Sequence, residues 1–172
     1  MNMMNKYIFE DSDFWGKEEF DIKGNAYYLL LDLCFKYCES VSFCFRKTKE
    51  GLLSWDNRME NYRIPVNQYV LSAYSHYGFS SNYTRVVSDY YEIRHYRLCQ
   101  ETLYFLQQMS DSLFSWVSDS EHHKPDDPVF YRPDGSIFFL SITHEGYCYL
   151  MPKDNEDINS ILITGNWKGI KT

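Results

Sequence analysis

Apolar and polar positions along the chain switch period several times, and each switch marks an element. Tyr7, Ile8 and Phe9 form a short strand-like run, followed by an acidic stretch interleaved with Phe14, Trp15 and Phe20. Beyond Gly24, with Asn25 as the expected N-cap, Tyr27, Leu30, Leu31, Cys34, Phe35 and Cys38 repeat at helical spacing, while Asp32, Lys36 and Glu39 fall opposite. The period then becomes two: Val41, Phe43 and Phe45 alternate with Ser42, Cys44 and Arg46, as in a half-buried strand. Residues 47–66 are polar and turn-rich, with room for a short strand over Leu52–Trp55. The spacing of Tyr69, Val70, Ala73 and Tyr77 predicts a helix over 66–77, closed by Gly78, and 79–89 reads as a loop. Tyr91–Leu98 alternates as a strand. Leu103, Leu106, Met109, Leu113 and Trp116 or Val117 then mark one stripe of a helix over about Gln100–Val117, with a polar break at Ser110–Ser112 where it can kink or end.

Asp119–Pro128 is hydrophilic and reads as a surface linker. After it, Val129–Tyr131 and Ile137–Ile142 flank a Pro133-Asp134-Gly135 turn, in which Pro presets one dihedral and Gly takes a positive φ. Ile137, Phe138, Phe139 and Leu140 run without polar interruption, which predicts a central strand buried on both faces. Thr143–Gly146 is a second turn and Tyr147–Met151 a third strand. Asp154, with Asp157 in the box position, is expected to cap a last helix ended by Gly165, and the tail NWKGI offers a final strand. These elements predict an α+β fold: a mostly antiparallel sheet with helices packed on one face and a C-terminal β-meander. The 172 residues fit a single domain spanning 1–172, because the 44 or so residues after the linker would make a marginal core by themselves.

Composition changes this picture in one respect. Aromatic residues make up 19% of the chain, with 16 Tyr, more phenol groups than a core of this size can satisfy, so some belong on a contact surface. The net charge of −7 argues against direct nucleic-acid binding, which needs a basic footprint. From Arg46 to Arg97 eight Lys/Arg face five Asp/Glu, a balance of +3, so the acidity lies toward the two ends. No apolar run is long enough to span a membrane, and the N-terminal stretch lacks a signal-peptide pattern. Five cysteines at scattered spacing fit a reducing cytoplasm better than a disulfide framework.

Candidate chemistry is sparse. His144 and Glu145, in a tight turn, can form a general acid/base pair, with His95 as a further candidate. His122 and His123 sit side by side in the linker, Cys34 and Cys38 lie on an apolar helical face, and neither pair has the spacing of a metal site. The carboxylate clusters do not match a calcium loop, and no phosphate-binding glycine loop or nucleophile elbow is present. We therefore expect no catalytic residue, cofactor or metal. What remains is acidity beside aromatics: Asp13, Trp15, Glu18 and Glu19 in one patch, and Asp126, Asp127, Tyr131, Asp134, His144 and Glu145 in another. Both suit steered binding to a basic protein.

In size, charge, cytosolic cysteines and Tyr/Asn-rich segments such as MNMMNKYIFEDSDFW, the chain resembles small acidic immunity proteins of bacterial toxin–immunity systems. The resemblance implies a cytoplasmic protein that binds and neutralises a cognate toxin. If that toxin is a basic nuclease, acidic side chains here would stand in for phosphates. The competing expectations are a small enzyme using His144 and Glu145, and an adaptor domain that pairs with itself through its tyrosines.

Overall fold

The computed structural model describes residues 5–11, 20–47, 68–79, 85–117 and 124–170. The strands are β1 (Lys6–Glu10), β2 (Ser40–Lys47), β3 (Val70–Phe79), β4 (Arg85–Arg97), β5 (Asp126–Tyr131), β6 (Ile137–Ile142), β7 (Tyr147–Leu150) and β8 (Lys168–Ile170). The helices among the described residues are α1 (Asn25–Tyr37), α2 (Gln100–Met109) and the one-turn α3 (Asn159–Leu162). The eight described strands join one antiparallel sheet in the order β3-β4-β2-β5-β6-β7-β1-β8. The fold is thus α+β, with β5, β6 and β7 as the expected meander and β6 in the interior of the sheet. No described helix is long and apolar enough to cross a membrane.

One face of the sheet carries the main core. Tyr27, Leu30, Leu31 and Cys34 of α1 and Leu103 and Leu106 of α2 pack on Phe9, Val41, Phe43, Tyr96, Phe130, Phe139 and Leu150. Trp116, just beyond α2, fills the centre. Its indole N–H donates to the Tyr27 hydroxyl at 2.8 Å, Tyr27 donates to the Leu106 carbonyl, and the indole stacks on Phe43 at 5.1 Å. Burial pushes the Tyr27 phenol well above its usual range, so it remains a neutral donor. A bulge sharpens the expectation for Ile137–Leu140. Phe130 pairs with Phe139 but Tyr131 with Ile137, so Phe138 is an extra residue in β6. Phe138 meets Tyr37 of α1 and Phe139 meets Phe130, which places both rings on the helix side. Ile137, Leu140 and Ile142 go to the other face, with Val129.

Several expected elements are corrected. The helix expected over 66–77 is strand β3. Its Val, Tyr and Phe content suits a pleated surface, and its ladder to β4 decides the conformation, overriding a coincidental helical spacing. The loop expected over 79–89 already belongs to β4 from Arg85 onward. Helix α2 stops at Met109. Ser110 is extended (φ −158°, ψ 154°), and its hydroxyl accepts the Ser112 N–H, a local bond that competes with the helix. Leu113 and Trp116 still bury, so the apolar stripe runs on in the sequence past the end of the helix. Gly24, not Asn25, occupies the N-cap of α1, with no side-chain cap. The last helix starts at Asn159 rather than near Asp154, and it is the Asp157 carboxylate that accepts the Asn159 N–H. The tail strand forms as β8, against β1. The short strand expected at Leu52–Trp55 lies outside the described residues.

The five cysteines are free thiols. Burial raises the Cys34 and Cys148 thiols well above their usual value and Cys38 up to about 12, so none of these three is an activated nucleophile. Cys99 is half-buried and the other four are buried. An aromatic disulfide reagent should therefore titrate one thiol quickly in the native protein and all five in denaturant. A second fast thiol would contradict the burial of Cys34, Cys38, Cys44 and Cys148.

Candidate functional site

The face of the sheet opposite α1 and α2 is the candidate site. Period-two alternation of YCYL sends Cys148 and Leu150 into the core and Tyr147 and Tyr149 to this face. There, Val129, Leu140 and Ile142 are buried beneath half-buried Tyr131, Ile137, Tyr147, Tyr149 and Met151, a cluster that no described helical residue joins. The tyrosines are held by defined contacts. The Tyr131 hydroxyl lies 3.2 Å from Ser42 Oγ, and its ring packs on His95 at 5.1 Å. Partial burial lowers the His95 pKa and favours the neutral ring. Tyr147 and Tyr149 meet edge to face at 5.6 Å, and the Lys6 ammonium sits 3.8 Å over Tyr149.

One end of this face is a polar knot built at a second bulge. Ser42 pairs with Val129 but Cys44 with Asp126, so β5 carries an extra residue there. Asp127 takes it up with φ 54°, the only positive φ among the described non-glycine residues. Asp tolerates that region better than most residues, and Pro128 bars the helical alternative. The Asp127 carboxylate accepts the Thr143 N–H at 2.8 Å and lies 3.2 Å from His144 Nδ1. Thr143 Oγ1 accepts the Asp127 N–H at 3.3 Å and donates to the Trp116 carbonyl. Thus the buried Asp127 side chain ties β5 to the turn Thr143–Glu145 and, through Thr143, to the core tryptophan.

The same turn presents Glu145. The Tyr147 hydroxyl donates to Glu145 Oε2 at 2.8 Å. Burial, and then the Glu145 bond and charge, push the Tyr147 phenol up to about 12. Gly146 closes the turn at φ 74°, a left-handed conformation that strains a side chain, and the Asp11 carboxylate would have to move to admit a Cβ. Asp11 N–H donates to the Gly146 carbonyl at 2.6 Å, and Phe20 N–H donates to the Asp11 carbonyl. The ends of the acidic N-terminal segment are therefore anchored beside His144 and Glu145.

This geometry revises the second of the two expected patches. Asp126 and Asp127 are each 1% exposed, so they are not a rim of surface charge; the bulge turns both inward. His144 and Glu145 are held by different partners: His144 Nδ1 meets Asp127, and Glu145 meets Tyr147. Asp134 is exposed but lies at the other end of β6, about 20 Å away at about 3.3 Å per residue. There Lys153 and Ser136 hold its carboxyl well below the usual range, Lys153 having the largest effect. Tyr131 and Glu145 remain on the candidate face. Asp13, Trp15, Glu18 and Glu19, with His122 and His123, lie outside the described residues. Sequence reasoning missed Tyr147 and Tyr149, although the strand alternation places them. Asp127–Thr143 carried no sequence signal, because 16 residues separate the partners. Comparison of the chain with family models, with curated proteins and with solved structures finds no match.

Proposed function

We propose that this chain is a cytoplasmic immunity protein that binds and neutralises a cognate toxin, a basic protein such as a nuclease, through the face of its sheet opposite α1 and α2. The observation that carries the reading is the cluster of Tyr131, Tyr147 and Tyr149 on that face, held rigidly by strands and bordered by Glu145. Tyrosines with fixed rings give large contact area at low entropic cost, and their hydroxyls supply hydrogen bonds at a wet interface. The net charge of −7 adds long-range attraction to a basic partner, which raises the association rate more than the final affinity.

The test begins in the native genome, with a toxin-like reading frame beside this one. Its product should arrest growth when expressed alone and should be harmless when this chain is co-expressed. The purified pair should associate faster at low salt. Tyr147→Ala with Tyr149→Ala should weaken the complex at least about 100-fold, the loss of two anchors of about 1.5 kcal/mol each or more. Full affinity in that double variant would move the interface elsewhere.

A second reading, a small enzyme using His144, has one observation in its favour. A buried carboxylate at Nδ1 is the arrangement that orients an imidazole for general-base work. On that reading Asp127, not Glu145, is the orienting group. It requires that His144→Ala abolish turnover of some substrate while unfolding is unchanged.

A further inference from the structure

The two edges of the sheet are built differently. At one edge β8 is three residues long, and its Lys168 pairs with Glu10 at 2.8 Å. Short length and a lysine are ordinary protections of a sheet edge against pairing with another chain. At the other edge β3 is ten residues long, VLSAYSHYGF, with no Lys, Arg, Asp, Glu or Pro. Among the described strands its one neighbour is β4. The irregularities of that ladder fall at its ends, between Val70 and Ser72 and between Tyr77 and Phe79, leaving Ser72–Tyr77 regular. Leu71, at the start of the strand, is 52% exposed. In a chain that is 24% charged, this ten-residue strand carries none of the charge or proline that commonly guards a sheet edge, and between its two irregular ends the ladder is regular.

We propose that β3 is a self-association edge: two copies of the chain pair β3 to β3, antiparallel about a two-fold axis, into one continuous sheet. An edge strand directs the N–H and C=O of alternate residues outward, so pairing over Ser72–Tyr77 supplies about six backbone hydrogen bonds. A second copy is the occupant that fits the charge pattern. A partner recruited by charge finds nothing to read on β3, whereas two-fold pairing sets identical uncharged segments against each other, an isologous contact. It also keeps the charged β4 strands three strand spacings apart, about 14 Å, beyond the Debye length of about 8 Å at physiological salt. The mutual repulsion of two chains of charge −7 is therefore largely screened at the joint. The edge lies four strands from β6, so self-pairing leaves the tyrosine-bearing face open and stands or falls independently of the toxin-binding reading.

Light scattering across about 1–200 μM protein tests this. The expected result is a mass that rises from one 20.7-kDa chain toward two, with amide exchange in Ser72–Tyr77 at least about ten-fold slower at the upper concentration. Ser72→Lys with Ser75→Lys should abolish the dimer while leaving far-UV circular dichroism unchanged. If that variant fails to fold, the concentration dependence of wild-type exchange decides. A single-chain mass throughout, exchange in β3 that ignores concentration, or a dimer that survives the two lysines would each overturn the proposal. So would β3 amides that slow only when a toxin is added, which would assign the edge to a foreign strand.

Discussion

Arg132→Ala should destabilise the protein by about 3–5 kcal/mol, the cost of breaking a buried ion pair by removing one partner. Against total stabilities of about 5–15 kcal/mol, that places the variant near the unfolding threshold. Arg132 and Glu156 form a two-pronged pair, Nε to Oε1 and one terminal nitrogen to Oε2, both at 2.6 Å, with side chains 4% and 6% exposed. The remaining guanidinium protons go to the Met151 carbonyl at 2.6 Å, the Ile137 carbonyl at 2.7 Å and Ser136 Oγ at 3.2 Å. One side chain thereby joins the β5–β6 turn, the start of β6 and the end of β7 to the segment before α3. Removing it leaves a carboxylate and two carbonyls without those donors. Arg132→Lys should recover little, because an ammonium cannot span that fork. Arg132→Met with Glu156→Leu should recover most of the loss, since the pair's desolvation disappears with its attraction. Urea midpoints would rank the four proteins; Arg132→Ala within about 1 kcal/mol of wild type would refute the argument.

The pH dependence carries the same signature. Burial alone would raise the Glu156 carboxyl, but hydrogen bonds from Arg132 and the Lys153 N–H and the charge of Arg132 outweigh it, and the folded-state pKa is lowered. A lowered folded pKa means the contribution is complete above the unfolded value, about 4.3, and is lost as pH falls through the folded value. The stability gap between wild type and Arg132→Ala should therefore be widest near neutral pH and narrow in acid.

Local signals made the meander legible. Pro133-Asp134-Gly135 sets its turn, with Gly135 at φ 78°, and alternation sets the faces of β2 and β7. What failed was decided by distant partners. In β3, helical spacing of Tyr69, Val70, Ala73 and Tyr77 was a weak local signal beside eight paired positions in the ladder to β4. Asp126 and Asp127 carried the composition of a solvated linker, and nothing nearby in sequence announces that Cys44 and Thr143 will draw them inward. The candidate face was half legible for the same reason. Tyr131 and Glu145 belong to it by local pattern, whereas the polar knot behind it depends on residues that meet only after the sheet closes.

That knot gives the second large effect. Asp127→Ala should cost about 3 kcal/mol, from two sources. The buried Thr143 N–H loses its acceptor, at about 1–3 kcal/mol, and Ala must hold the left-handed region without the side-chain bonds that favour Asp there, at about 1 kcal/mol. Asp127→Gly removes the backbone strain but not the lost bond, so it should fall between Ala and wild type. Asp127→Asn keeps an oxygen for Thr143 and should cost least of the three. His144→Ala separates the two tasks of the carboxylate. The ring is 19% exposed and is one of several groups around Asp127, so its removal should cost under about 1 kcal/mol if the chief task is to hold Thr143. Denaturant unfolding of the four variants reads the order directly. If His144→Ala costs as much as Asp127→Ala, the imidazole rather than the threonine is the partner that matters, and its role is structural rather than that of a general base. If Asp127→Ala is the most costly and His144→Ala nearly silent, the knot is the anchor that fixes Glu145 and Tyr147. Binding by the tyrosine face should then weaken in Asp127→Ala even at concentrations of denaturant too low to unfold it.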